Sequence, residues 1–331
     1  MRAAMFDEYG PPEVLYVGTV PKPVAGPGEV LVRVHGTSVN GGETAGRAGK
    51  LKLVTGRKFP QRMGIDFAGE VTALGSPHPG LQVGDRVWGA LPRGRFGSAA
   101  EFVAVRARQL SLVPAGLDLV EAAALPAGTT AITALRDQAR LKAGERLLVR
   151  GASGGIGHVA VQLGRAWGAH VTALAGAKNL DLVRDLGADE ALDYAVTGPA
   201  DLGLFDVIFD SAGTDPSAYR RLLAPGGRMV SITFDSRAMA SSIAYILAST
   251  VYGSRRVRFF SGNPTHRLFA DLAELVASGA VRPVVDTVRP LADIAGAHRA
   301  LEAGGVRGKH LVQVVFQTPN LAPNHRDSQI S

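Results

Sequence analysis

The 331-residue chain contains no cysteine. That excludes disulfides, a thiol nucleophile and any zinc site built on thiolates. It also lacks any window approaching the roughly 18 unbroken apolar residues of a membrane span. The first residues, Met1-Arg2-Ala3-Ala4-Met5-Phe6-Asp7-Glu8, place an acidic pair where a signal peptide would be apolar, so a cytoplasmic location is expected. No internal repeat or low-complexity tract is present.

What the chain has is length for two domains, each with its own core, and a formal net charge of +7. The arginines are scattered, and their densest run, Arg255-Arg256-Val257-Arg258, leads into a strand-like segment. A diffuse positive field is not a nucleic-acid site, so no nucleic-acid partner is expected. It suits an anionic dinucleotide or a thioester equally well.

The most informative stretch is Leu147-Leu148-Val149-Arg150-Gly151-Ala152-Ser153-Gly154-Gly155-Ile156-Gly157, followed by Val159-Ala160-Val161-Gln162-Leu163. An apolar run breaking into glycines and resuming reads as strand, tight turn and helix. Backbone amides at such a helix start attract a pyrophosphate, and glycines let its oxygens approach. Ala152 stands where the strict fingerprint has glycine, so a ligand-free glycine-rich turn also fits this stretch. On the nucleotide reading, Ser153, Gly154, Gly155, Ile156 and Gly157 are cofactor-binding.

Further strands are expected at His170–Leu174, Phe205–Asp210, Arg228–Ile232 and Val257–Phe260, after the first at Arg146–Arg150. Helices are expected near Ile156–Trp167, Asn179–Leu186, Pro216–Leu223 and Ala238–Ser249. This alternation predicts a doubly wound parallel sheet that binds nucleotides at its strands' carboxyl ends. An NAD site carries a carboxylate about 20 residues beyond the glycines. Here the second strand runs into Ala175-Gly176-Ala177-Lys178 without one. Lys178 can pair with a 2′-phosphate, which favours NADPH over NADH; an ordinary solvated lysine is the alternative. Ala175, Gly176 and Ser211, which follows the Phe205–Asp210 strand, complete the cofactor set.

Residues 1–125 instead show short alternating segments, such as Glu29–Val34 and Glu70–Leu74, separated by Pro- and Gly-rich turns. The expected organisation is a β-rich catalytic domain over 1–125, a nucleotide domain over 126–262 and a return to the first domain over 263–316. That return reads Val284–Val288, Ile294–Glu302 and Leu311–Phe316 as strand, helix and strand. Residues 317–331 read as a polar, frayed tail.

An ordered set of motifs then identifies a family. Val39-Asn40-Gly41-Gly42-Glu43 is followed by Gly64-Ile65-Asp66-Phe67-Ala68-Gly69-Glu70-Val71, Val83-Gly84-Asp85-Arg86-Val87 and Gly97-Ser98-Ala99-Ala100-Glu101-Phe102. Leu125-Pro126-Ala127-Gly128-Thr129-Thr130-Ala131 precedes the glycine loop; Pro225-Gly226-Gly227-Arg228 and Gly308-Lys309 follow it. The chain resembles the medium-chain dehydrogenase/reductase superfamily, in its zinc-free quinone oxidoreductase (zeta-crystallin-like) branch. The resemblance implies an α/β fold: a GroES-like partial barrel built from both chain ends, with a Rossmann domain inserted. It implies a cleft for the nicotinamide and a homodimer formed through Val257–Phe260. It also accounts for Ala152, since this branch commonly has alanine there.

Zinc-dependent relatives need a cysteine, a histidine and a third ligand. Asn40 stands at the cysteine position and Ile65 at the histidine position, and isoleucine cannot ligate. The 8 histidines show no pair at ligand spacing; His35, on a strand, and His158, on a helix, read as structural. No metal is expected.

Residue by residue, the resemblance makes Asn40 the polar group facing nicotinamide and substrate. A turn asparagine beside two glycines is the competing reading. Glu43 and Arg47 match the family's acidic residue and arginine, and an ion pair between them would shape the cleft floor. Asp66 reads as structural. Thr130 is placed near the nicotinamide phosphate, with a helix-start hydroxyl as the alternative, Lys178 and Tyr194 at the 2′-phosphate, and Lys309 at the end of the cleft, where a phosphate contact and a surface lysine are both open. Two departures are noted. The usual proline is Gly41, which predicts a flexible loop, and a common active-site tyrosine is Ala45.

Without a metal, hydride transfer suits an acceptor already electron-poor, a quinone or a carbonyl-conjugated alkene. Two alternatives stand beside this reading. One is a pathway-specific tailoring enzyme on the same scaffold, reducing an enoyl thioester or running redox-neutral chemistry. The other is an NADPH- or RNA-binding protein with little catalysis.

Overall fold

The computed structural model describes residues 1–56, 58–233, 257–260 and 262–314. The expected helix at 238–249, the 317–331 tail, Arg255-Arg256 and the last two residues of the closing strand lie outside these.

The first half contributes eight strands: β1 (Arg2–Phe6), β2 (Tyr16–Thr19), β3 (Glu29–Ser38), β4 (Gln61–Arg62), β5 (Asp66–Leu74), β6 (Arg86–Ala90), β7 (Phe102–Arg106) and β8 (Leu110–Leu112). Alternation places Val30, Val32 and Val34 of β3 in a core with Phe67, Val71, Val87, Val103 and Leu110. Strands β2, β1 and β4 form a small antiparallel sheet.

The middle of the chain supplies β9 (Arg146–Arg150), β10 (His170–Ala175), β11 (Glu190–Asp193), β12 (Phe205–Asp210), β13 (Leu223–Ser231) and β14 (Val257–Phe259). They make one parallel sheet in the order β11-β10-β9-β12-β13-β14. Leu147, Leu148 and Val149 are wholly buried, as a central parallel strand covered on both faces requires. From β9 the chain winds outward one way through β10 and β11; from β12 it winds the other way. The crevice outside the carboxyl ends of β9 and β12 is therefore the topological switch point.

Two late strands, β15 (Val285–Pro290) and β16 (Lys309–Gln313), return to the first half. They extend a sheet ordered β15-β16-β3-β5-β6-β8, with β7 also paired to β3. Antiparallel pairing of Leu311 with Ser38 sets Lys309 beside the chain leaving β3. Between them lies the Ile294–Glu302 helix, with the bounds read from its periodicity.

Three readings change. Strand β11 was not anticipated, because Glu190-Ala191-Leu192-Asp193 shows little β-branching and is only partly buried at the sheet edge. The Pro216 helix ends at Arg220, so Leu223 begins β13 instead. Gly41 opens a helix, Gly41–Arg47, rather than a flexible loop.

Candidate active site

The turn after β9 is held by close backbone approach. A β-carbon on Gly157 would lie 2.0 Å from the Gly151 carbonyl oxygen, so only glycine fits where the Gly157–Ala166 helix starts. Ala152 faces inward, fully buried in the core, and its amide donates to Leu174 O at 3.0 Å. A methyl group is accommodated there, which is why alanine serves in this place. Gly154 meets only the Gly151 carbonyl, and half-buried Ile156 caps the helix. This cradle fits a dinucleotide pyrophosphate.

Ser153 is tied down from two sides. Its carbonyl accepts from Gly308 N at 2.7 Å, and its hydroxyl from Asn179 Nδ2 at 3.2 Å. Buried Asn179 also donates to Val306 O at 3.2 Å, clamping the turn to the loop before β16. Ala175 ends β10 and accepts from Tyr194 N at 3.1 Å. A β-carbon on Gly176 would stand 3.5 Å from the Tyr194 hydroxyl, and one on Gly305 would stand 3.3 Å from Lys178 Nζ. Lys178 and Tyr194 are both exposed, beside the end of β10.

Under the turn lies a buried ion pair, Arg150 Nη1 to Asp210 Oδ1 at 2.9 Å, with the guanidinium 3.5 Å from the centre of the Tyr219 ring. Asp210 also accepts from the amides of Ala212 and Gly213, both at 3.1 Å. Ser211 donates to Arg150 O at 2.7 Å, where β9 and β12 end at the switch point. Thr130 is half-buried, its hydroxyl 3.7 Å from where a β-carbon on Gly262 would be.

The second half of the site is a buried polar cluster. Lys309 Nζ donates to Asn40 Oδ1 and, at 3.2 Å, to Ser38 Oγ, and stands 3.8 Å from Asp66 Oδ2. Asn40 Nδ2 donates to Glu43 Oε1 and to Asp66 Oδ2, both at 2.9 Å; Ser38 donates to Asp66 Oδ2 at 2.7 Å. The Lys309 stem runs along the glycine turn, since a β-carbon on Gly155 would meet its Cδ at 2.9 Å. One side chain therefore joins the cofactor cradle to Asn40.

Burial orders the charges of this cluster. Glu43 is 1% exposed, and burial, reinforced by the neighbouring Asp66 carboxylate, raises its pKa to about 8. Burial lowers Lys309, against the pull of Asp66 and Glu43. Near neutral pH Glu43 therefore keeps its proton, which spares the cluster one buried negative charge.

Several expectations are corrected. Glu43 and Arg47 do not pair: Glu43 turns to Asn40, while buried Arg47 turns to Glu302 on the Ile294–Glu302 helix. Residues three and four apart can meet on a helix, but here their outward partners compete successfully. Lys309 is no surface lysine: it is buried, with its amino group turned into the cluster. His158 is buried, its Nδ1 3.0 Å from Gly154 O, and burial lowers its pKa to about 4. Its structural assignment holds. Ser38, Asn179, Arg150 and Asp210 were not singled out from sequence, although Arg150 ends a strand of otherwise apolar interior residues and a charge there was a signal.

Comparison with known proteins bears on this geometry. Residues 26–115 match the alcohol dehydrogenase GroES-like domain, and residues 186–312 match a zinc-binding dehydrogenase domain. The mitochondrial NAD(P)H oxidoreductase RTN4IP1 of Mus musculus is 32% identical, over 95% of this chain and 89% of its own. The chloroplast envelope quinone oxidoreductase homolog of Arabidopsis thaliana is also 32% identical, over 95% of this chain and 98% of its own. The chain belongs to the zinc-free quinone oxidoreductase branch of the medium-chain dehydrogenase/reductase superfamily. The Escherichia coli quinone oxidoreductase solved with NADPH superposes with a TM-score of 0.83 at 26% identity, covering 95% of this chain and 100% of that one. This family member is thus an oxidoreductase for a nicotinamide cofactor. The residues present do not fit zinc: Ile65 offers no ligand atom, and Asn40 and Asp66 are committed to each other and to Lys309. Among the described residues, no group of three His, Cys, Asp or Glu is placed to hold a metal.

Proposed function

We propose that the protein is an NADPH-dependent, metal-independent reductase of quinones or carbonyl-conjugated alkenes. The observation that carries this reading is the Lys309 ammonium bonded to Asn40 and Ser38 beside Asp66, a fixed cation where metal-dependent relatives need an ion.

NADPH, when bound, supplies the hydride. The chain's work is to bind, orient and manage charge. Amides of the Ser153–Gly157 turn hold the pyrophosphate, and Lys178 and Tyr194 hold the 2′-phosphate. Lys309 and Asn40 form a preorganised polar floor whose fixed dipoles bear on the charge growing on an acceptor oxygen. Both hydrogen-bonding groups of the Asn40 amide are already engaged, so Asn40 acts by being held rigid. Glu43 keeps a proton in reserve within that network at neutral pH. Ala45 removes the phenol that many relatives carry, so no side-chain hydroxyl at that position delivers the final proton.

Strand β14, at the end of its sheet among the described residues, is the segment proposed to lie where two copies meet. The division at 125, 262 and 316 agrees with strands β15 and β16 rejoining the first half. No helix among the described residues is long and apolar enough to cross a membrane. The cytoplasmic location rests on sequence alone, and the two relatives above carry organelle names.

The test is NADPH consumption by purified protein with an ortho-quinone and a conjugated enone, NADH serving as control. Turnover with either acceptor supports the reading, and the faster one names the class. Tight NADPH binding without turnover on any acceptor would favour the tailoring alternative.

A further inference from the structure

Beside Asn40 the chain carries a local charge bias. Residues 44–65 hold six cations, Arg47, Lys50, Lys52, Arg57, Lys58 and Arg62, and no carboxylate, in a chain with 36 Lys and Arg against 29 Asp and Glu. Residues 87–100 add Arg93 and Arg95, again without a carboxylate.

The fold brings these two stretches together. Gly97 N and Ser98 N both donate to Gly64 O, at 2.8 and 3.2 Å. A β-carbon on Gly97 would lie 3.2 Å from the Arg62 guanidinium, and one on Gly46 would lie 3.3 Å from the Phe96 ring. The other side of this loop reaches the nucleotide half: Arg93 N donates to Asn263 Oδ1 at 3.3 Å, next to the Gly262 that faces Thr130. Residues 92–97 thus bridge the helix that carries Glu43 and the segment facing Thr130.

Buried Arg47 is committed to Glu302 and takes no part. Arg62, Arg93 and Arg95 are exposed, and no described carboxylate pairs with them. The cofactor's phosphates are already accounted for at the glycine turn and Lys178. Clustered cations without counter-charge repel one another unless an anion is drawn among them.

We propose that the acceptor carries an anionic group, phosphate, sulfonate or carboxylate, held by Arg62, Arg93 and Arg95, with Phe96 against its apolar part. This rests on the reading of the Asn40 side as the acceptor side of a reductase. It narrows the substrate class from any electron-poor acceptor to an anionic one.

Two matched pairs test it on the full chain: 1,4-naphthoquinone against its 2-sulfonate, and the crotonyl thioester of N-acetylcysteamine against that of coenzyme A. Each is assayed with wild type and with the Arg62→Gln/Arg95→Gln double variant, and comparing variant with wild type cancels intrinsic reactivity. The double substitution is expected to lower kcat/KM for an anionic member about fivefold or more beyond its effect on the neutral partner. Added salt shrinks that difference, and Lys at both positions restores part of it. The pair that responds tells a compact anion from a phosphorylated carrier.

Equal effects on both members of both pairs would overturn the proposal while leaving the reductase reading intact. Absence of turnover in both pairs would instead count against the reductase reading. Calorimetric binding of the naphthoquinone sulfonate to NADP+-loaded protein then decides. A dissociation constant weakened about fivefold or more by the double variant supports the anion site; no binding, or an unchanged constant, overturns it.

Discussion

Lys309 and Asp66 come from opposite ends of the chain, yet Nζ and Oδ2 stand 3.8 Å apart with both side chains buried. Strand β16 delivers the one and the start of β5 the other, with Ser38 and Asn40, at and just beyond the end of β3, bonded to both. The pair is the point at which the two halves of the molecule and the cofactor cradle meet.

Removing one partner should strand the other's charge. Lys309→Met is expected to cost about 3–5 kcal/mol in unfolding free energy, since a buried unpaired carboxylate is left behind. Adding Asp66→Asn should recover a substantial part of that loss. Denaturant titration of the single and double variants measures it, and a single-variant loss below about 1 kcal/mol would show the pair to be idle.

Glu43 predicts a pH signature. Its folded pKa of about 8 lies above the ordinary value of 4.5, so the folded chain retains a proton the unfolded chain releases. The associated stability is fully present below pH 4.5 and is lost as pH rises to about 8. Glu43→Gln cannot titrate. Between pH 5 and pH 9 its stability relative to wild type should improve by roughly 3 kcal/mol or more. Thermal or urea melts across that range check it; a constant difference would mean that Glu43 is ionised throughout.

The 2′-phosphate assignment predicts selective damage. Lys178→Ala should weaken NADPH binding about tenfold or more and change NADH binding little. Fluorescence titration with both cofactors reads the ratio. An equal loss for the two would remove Lys178 from the phosphate site.

At Gly157 the obstruction is backbone, which cannot move aside as a side chain can. Gly157→Ala is expected to cost at least about 2 kcal/mol in stability and to impair NADPH binding, because a β-carbon would lie 2.0 Å from the Gly151 oxygen. Full retention of both would mean that the turn has another conformation available.

Much of this molecule is legible in its sequence. Strands Arg146–Arg150 and Phe205–Asp210 and the helix Ile294–Glu302 have the bounds their periodicity suggests. Buried central strands and amphipathic helices write their patterns into local sequence. Edge strand β11 does not, because half-exposed Glu190 and Asp193 carry no core pattern. The glycine turn was readable because close approach admits so few residues. The hydrogen-bond partners of Arg47 and Lys309 were not, because they lie 255 to 271 positions away along the chain, and that of Glu43 was not, because it depends on which of several neighbours wins. Spacing on one helix suggested Glu43 with Arg47; the packing of a distant helix against Arg47 decided otherwise.

The most direct measurement is the rate of NADPH oxidation with an ortho-quinone or a conjugated enone before and after exhaustive chelation, with metal content determined in parallel. We predict turnover retained within about twofold in protein free of zinc, because the Lys309 ammonium takes the place a metal would need. Activity that disappears on chelation and returns with zinc would contradict the account.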